Sequence, residues 1–455
     1  MVTQVLALAL WLGAQQPPGA QDVDYQIYSE PPRLLLNQRR LRLLKREKER
    51  ESIRWQQFDS LMRGRARMSE PGFALALWGT VAGQPGACRE AAEWAARANA
   101  SDPGELRQIA LVYDWCQPQA GEALTQMMGR KLAAALSSRA GDARHVRSLA
   151  FAAIVMADSE PKASEAALRF AVETWWQRRI APDLRRGAFP FSSREQLYAM
   201  TEFLHVIRDN LRLDLREGLN QWFEELPPLL LLSYYPQPWP AAENEYRIPA
   251  YWEPGEPDLR EAIFSRAAEF ALVAYDANAR PHQFLQGWLM MDRFLMRGES
   301  GIAYEFLWAN PYQPGLSFTY MPDVYHGRGR LLVRSGWDEE ASWFGLWEGR
   351  AQLFAGGKRI LVRPEAQPRP LELGPVRILF APGGLQFETG WLPPPEEGEK
   401  PVEEVAFIVG LEPDKRYDVE VDGEEMFEAA SDSGGILELR FQPGRRAGVR
   451  VRKAP

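Results

Sequence analysis

Residues 302–347 read IAYEFLWANPYQPGLSFTYMPDVYHGRGRLLVRSGWDEEASWFGLW, and near Pro311 the apolar residues change period. Before that proline they recur at three- and four-residue spacing, the repeat of a helix face; after it they alternate, the repeat of a strand. The chain is therefore expected to divide here into a helical part and a β part. Upstream, residues 34–62, 88–98, 105–116, 120–137, 143–157, 163–178, 193–210, 214–225, 259–275 and 281–296 carry the helical repeat. Start signals stand before several of them, such as Ser193 before Arg-Glu-Gln and Asp258 before Leu-Arg-Glu. So many amphipathic segments with short links predict helix hairpins, packed as a bundle, a solenoid or a closed toroid. Downstream, short strand-like segments begin at Arg330, Ala341, Lys358, Val376, Glu404, Arg416, Gly435 and Gly448, punctuated by Asp-Gly, Gly-Gly and Pro-Gly steps. That spacing predicts an antiparallel β-sandwich.

The length of 455 residues suits two domains, expected as a helical one over 21–312 and a β one over 313–455. Residues 5–14 form an apolar run with no charge before Asp22, too short for a bilayer span and the size of an export-signal core. Residues 1–20 are accordingly expected to be a cleaved signal peptide, which implies a periplasmic or secreted protein with no membrane span after cleavage. The net charge of -7 argues against nucleic acid as a partner, and any acidic ligand would have to be held by local Arg and His groups. The two cysteines, Cys88 and Cys116, open and close the successive helical segments 88–98 and 105–116. In a hairpin those ends lie side by side, so the pair forms either a disulfide or two separate buried thiols. Their spacing and neighbours do not suggest zinc.

Three places carry a resemblance to a known family. Residues 111–115 (LVYDW), residues 306–317 (FLWANPYQPGLS) and residues 332–341 (LVRSGWDEEA) resemble segments of the heparinase II/III-like polysaccharide lyases. The domain order is also similar. The resemblance implies an α/α toroid, incomplete or of six hairpins, followed by an antiparallel β-sandwich. It implies cleavage of a uronate-containing polysaccharide or oligosaccharide by β-elimination, with no cofactor and no metal. In that reaction the proton alpha to a carboxylate leaves to a base while the carboxylate is neutralised and an acid feeds the leaving oxygen.

Carried onto this sequence, the resemblance puts Arg144 and His145 in the place of the family's Asn-His pair and Tyr198 in the place of its helix-borne tyrosine. An Arg in place of Asn can still neutralise a carboxylate. His145 and Tyr198 serve equally as a helix cap and a packing residue. His205 and Glu202 share a helix face with Tyr198, at seven and four residues' distance, as a partner base and an orienting group; a core histidine is the plainer reading of His205. Residues 233–252 hold too many prolines for a helix, and Trp239, Tyr246, Tyr251 and Trp252 offer flat faces for sugars, with Arg247 for a carboxylate or sulfate. The family's β-domain His-x-His-x-Asp segment is missing, and His326 is the one histidine placed to substitute. Two other functions stand beside the lyase: a non-catalytic relative that binds glycan or scaffolds other proteins, and a glycoside hydrolase on the same kind of toroid, for which Glu202, Glu243 and Glu245 are the carboxylates on offer.

Overall fold

The structure is a computed structural model that describes residues 24–240, 247–252, 255, 257–292, 296–364, 369–380, 384–395, 398 and 401–454. The expected signal peptide, residues 1–20, and Glu243, Glu245 and Tyr246 lie outside the described residues. Among those described, fourteen α-helices precede every strand. They are α1 (Gln38–Glu49), α2 (Ile53–Arg63), α3 (Pro71–Ala82), α4 (Pro85–Arg97), α5 (Pro103–Ala120), α6 (Glu122–Ala135), α7 (Ala143–Met156) and α8 (Pro161–Arg169), which runs on as a π-helix (Phe170–Ile180) into α9 (Ala181–Arg185). After these come α10 (Arg194–Leu211), α11 (Asn220–Leu232), α12 (Leu259–Tyr275), α13 (Arg280–Leu289) and α14 (Ile302–Trp308).

Six helices close a ring: α3 packs on α5, α5 on α7, α7 on α10, α10 on α12, α12 on α14, and α14 returns to α3. The sequence explains which helices go inside. Every residue of α7 from Val146 to Met156 is buried, whereas α4 and α8 bury a single stripe and expose the rest. Contacts between neighbouring helix starts fix the direction. Ser148 of α7 bonds the Pro103 carbonyl at the start of α5, Arg144 reaches Glu195 at the start of α10, and the Arg194 N–H reaches Glu261 at the start of α12. Glu70, which precedes α3, accepts from Tyr304 of α14 and Arg107 of α5. All six ring helices therefore begin at the same mouth. A disulfide joins Cys88 to Cys116, fastening α4 to the end of α5.

Three expected helices differ. The 34–62 segment is broken at residues 50–52 into α1 and α2. The 214–225 segment begins as turn, and α11 starts only at Asn220 but continues through Pro227 and Pro228 to Leu232. Burial of Trp222, Leu226 and Leu229–Leu232 outweighs the cost of the prolines. The 281–296 segment is helical only to Leu289.

The strands are β1 (Val324–Gly327), β2 (Arg330–Arg334), β3 (Trp343–Trp347), β4 (Arg350–Ala355), β5 (Lys358–Val362), β6 (Leu371–Leu373), β7 (Val376–Phe380), β8 (Gly384–Glu388), β9 (Glu404–Val409), β10 (Arg416–Val421), β11 (Glu425–Ala430), β12 (Leu437–Phe441) and β13 (Gly448–Lys453). They make three sheets, ordered β1-β2-β3-β4-β5, β12-β9-β7-β6 and β11-β10-β13-β8. The α-then-β organisation is as expected, and the β part stacks its sheets as a sandwich three layers deep. Alternation along the strands sets the layers. Leu332, Trp343 and Phe354 join the helical core, while Leu331, Val333, Phe344 and Leu346 on the other face of the same sheet meet Ile378, Phe407 and Val409 of the middle sheet. The middle sheet turns Ala406, Ile408, Leu437 and Leu439 to Tyr417, Val419, Val449 and Val451 of the outer one. Its two central strands, β9 and β7, covered on both faces, are almost continuously apolar, and they form the one parallel pair among the described strands.

Candidate functional site

The β part is docked at the ring mouth. Trp343 donates its indole N–H to the Leu232 carbonyl at 2.7 Å, and Tyr235 donates its hydroxyl to Gln352 Oε1 at 2.7 Å. Gln352 and Arg359 both donate to the Tyr251 carbonyl, at 3.1 and 2.8 Å. Between the two parts lies a recess of about 520 Å³. Its helical side is made by residues 189–194 and by Asp258, Glu261 and Ala262; its far side is Trp347, Glu348 and Arg350 at the β3–β4 turn; residues 248–252 form the wall between.

The wall is held rigidly from behind. Tyr234 pairs with Pro249 as an isolated β-bridge, and its hydroxyl donates to Glu269 Oε1 at 2.6 Å. Glu269 in turn pairs with Arg266, whose guanidinium also contacts Asp292 and the Arg247 carbonyl. Gly345 leaves the space that Trp343 and Trp252 fill: a Cβ there would stand 2.2 Å from the Trp343 ring and 3.1 Å from Trp252.

Two charged groups give the recess its chemistry. Asp258-Leu-Arg-Glu261 has capping-box spacing, which would turn Glu261 back on its own helix. Instead Glu261 accepts the Arg194 N–H of the neighbouring helix at 2.7 Å, and burial raises its carboxyl above the ordinary range against the pull of Arg194. The Arg194 guanidinium touches Ser233 at 3.5 Å and forms no ion pair among the described residues. Metal-ligand clusters are absent among the described residues.

Of the residues expected from sequence, Tyr251 and Trp252 line this recess. Arg144 and His145 are half-exposed at the same mouth but not on the lining; Arg144 pairs with Glu195 at 3.4 Å and His145 with Asp142. Trp239 lies beneath Arg359 and against the edge of Tyr235, and Arg247 braces Glu339 and the Pro236 carbonyl. His326, on β1, is clasped by Asp432 and Glu438, which overcome its burial and push its pKa up to about 9. It borders a separate cavity beside Trp222.

The expected convergence of Arg144, His145, Tyr198 and His205 on one cleft is not what the fold produces. Tyr198 is fully enclosed: its hydroxyl accepts from Trp308 at 2.8 Å and from Arg107 at 3.3 Å. Burial and Glu202 push its phenol well above the ordinary range. Glu202 is not a cleft carboxylate either. It is held by Arg107 at 2.6 and 2.8 Å and by Arg147 at 3.1 Å, and these cations outweigh burial and keep it ionised. His205, also interior, bonds the Ala271 carbonyl at 2.8 Å, and burial, then Arg40 and Arg208, drive its pKa well down. The physical reason is that the Tyr198 stripe of α10 points to the ring axis, which interlocked side chains fill.

Sequence reading missed Arg194, Glu261 and Trp347. The signal was present in the helix-start residues Ser193 and Asp258, since parallel ring helices gather their first turns at one mouth.

No protein-family model matches the chain, and no curated protein matches it. Among solved structures it is similar to a heparan sulfate lyase, HepC from Pedobacter heparinus, at 12% identity and a TM-score of 0.36, over 84% of this chain and 75% of that one.

Proposed function

We propose that the protein binds an acidic, uronate-containing polysaccharide in the recess at the ring mouth, as a lyase-like protein in which Tyr198, Glu202 and His205 serve the fold. The observation that carries this reading is the composition of one recess: flat faces at Tyr251, Trp252 and Trp347 for sugar rings, beside an Arg194 guanidinium that has no ion-pair partner among the described residues and can take a carboxylate. Export belongs to the same proposal. It is supported by the apolar run at residues 5–14 and by the Cys88–Cys116 disulfide, a bond that persists in oxidising compartments.

Turnover by β-elimination is a second reading, favoured by Glu261. With Arg194 neutralising the substrate carboxylate, Glu261, the lining carboxylate whose proton affinity burial raises, takes the alpha proton. The C–H pair becomes the C=C bond as the glycosidic C–O bond breaks, and the protonated Glu261 returns its proton to the leaving oxygen. The test is to screen the full chain against a panel of uronate glycans by affinity electrophoresis and by absorbance of the unsaturated product. Arg194→Gln, Glu261→Gln and Tyr198→Phe are compared with wild type. Retardation lost in Arg194→Gln with no product from wild type supports binding alone. Product abolished by Glu261→Gln supports turnover. Retardation unchanged in Arg194→Gln sinks the recess as the glycan site.

A further inference from the structure

The opposite mouth of the ring, where α10, α12 and α14 end, is crossed by α1 and holds a larger cavity of about 840 Å³. Its lining has the reverse electrostatics of a chain whose net charge is -7. Arg39, Arg40, Arg42, Arg46 and Arg50 come from the α1 side and Arg208 from α10, against one lining acid, Asp276, which Arg216 already engages at 3.3 Å. Arg208 has a structural occupation: it pairs with Asp209 and donates to the Tyr275 carbonyl at the end of α12. The α1 arginines have none of this kind; among the described residues none of the five forms an ion pair.

Their spacing is informative. Positions 39, 42, 46 and 50 follow one face of a helix, so like charges stand three and four residues apart, an arrangement that weakens a helix. Arg46 in the last turn favours the helix end and Arg50 lies over Tyr312, but no ion pair among the described residues offsets the repulsion along the row, which is how a sequence looks where local stability gives way to a ligand. The row spans about 16 Å at helical rise, several anionic groups long. Arg40 is stacked on Trp308 at 4.1 Å, and its buried Nη1 has no hydrogen-bond partner among the described residues. Tyr312 is 51% exposed at the rim beneath Arg50, and the exposed amide of Asn278 lies on the same lining.

We propose that this basin is a second ligand site, separate from the recess, for a linear acidic oligosaccharide. Its sulfate or carboxylate groups would lie along the α1 arginines, which pair bidentately with such groups, and a sugar ring would rest on Tyr312. The exposed aromatic ring and amide suit a hydroxylated chain more than a bare polyphosphate, and a concave basin of this size admits a single chain but not a duplex or a bilayer face.

The experiment uses the full chain and measures binding of oligogalacturonate and of a dextran sulfate oligomer by calorimetry over a salt series. Uncharged dextran, polyphosphate, a single-stranded oligothymidylate and phosphatidylglycerol vesicles are the comparison probes. Arg42 and Arg46 are exposed, so Arg42→Gln/Arg46→Gln keeps the fold; it is expected to weaken an acidic oligosaccharide at least tenfold and flatten the salt dependence, and Tyr312→Ala to weaken it severalfold. Arg194→Gln reports the recess separately. Loss confined to Arg194→Gln overturns the basin while leaving the recess proposal standing; loss confined to the basin variants establishes the basin whatever becomes of the recess. Unchanged affinity in Arg42→Gln/Arg46→Gln, or polyphosphate, oligothymidylate or vesicles bound as tightly as the sugars, overturns the assignment.

Discussion

Replacing Glu202 with glutamine removes the carboxylate shared by two guanidinium groups inside the ring. Arg107 and Arg147 are 1% and 2% exposed and Glu202 is fully buried, and Arg107 has a second carboxylate, Glu70, at 2.9 Å. Two cations and two anions make the cluster neutral; Glu202→Gln leaves one net positive charge where water does not reach. Breaking a buried pair by removing one partner costs about 3–5 kcal/mol. Because Arg107 keeps Glu70, the lower part of that range applies, about 3 kcal/mol, which for a domain of this size lowers the melting temperature by about 6–12 °C. Urea unfolding followed by far-ultraviolet circular dichroism and by calorimetry reads the change. The double variant Glu202→Gln/Arg147→Met restores neutrality, since Arg107 and Glu70 remain, and is expected to recover at least half of the loss. A single variant within about 1 kcal/mol of wild type, or a double variant no more stable than the single, would refute the argument that Glu202 serves as the ring's internal counter-ion.

Three further outcomes are expected. His326 has a folded pKa of about 9, above its unfolded value of about 6.5, so it contributes up to about 3 kcal/mol that is fully present below pH 6.5 and lost as pH rises through 9. Urea midpoints measured from pH 6 to 10 should fall in wild type and stay flatter in His326→Gln. His282 is buried, which lowers its pKa to about 4, so stability present above pH 6.5 declines toward pH 4 by up to about 3 kcal/mol. An acid titration in which His282→Phe follows the same slope as wild type would contradict this. Cys88→Ser/Cys116→Ser opens a loop of sequence separation 28 and is expected to cost about 3–4 kcal/mol, read as a shift in urea midpoint against the oxidised protein. Equal midpoints would mean that the bond adds no stability.

Much of the site was half legible. The aromatic segment around Tyr251 and Trp252 announced itself, because prolines exclude a helix there and flat side chains without an apolar repeat have little reason to cluster except at a surface. Glu261 did not, because its capping-box spacing describes a bond within one helix, and its actual donor, the Arg194 N–H, is 67 residues away in sequence. Tyr198 read as a candidate from the family resemblance, and Glu202 and His205 because they share its helix stripe. The same stripe pattern arises whether polar groups line a cleft or satisfy one another inside a ring.

The sequence by itself determined that helices precede strands, that the change falls near Pro311, and where ring helices such as α10 and α12 begin, because periodicity and capping are properties of a few adjacent residues. Only the tertiary structure decided that six helices close into a ring, that their starts share a mouth roofed by β3 and β4, and that the β part stacks three sheets deep. Periodicity records which face of a segment avoids water. It carries no information about what that face meets, and in α7, α10 and the middle sheet nearly every face is covered. Whether Tyr198 or Arg194 meets a ligand therefore depended on packing between elements far apart in the chain.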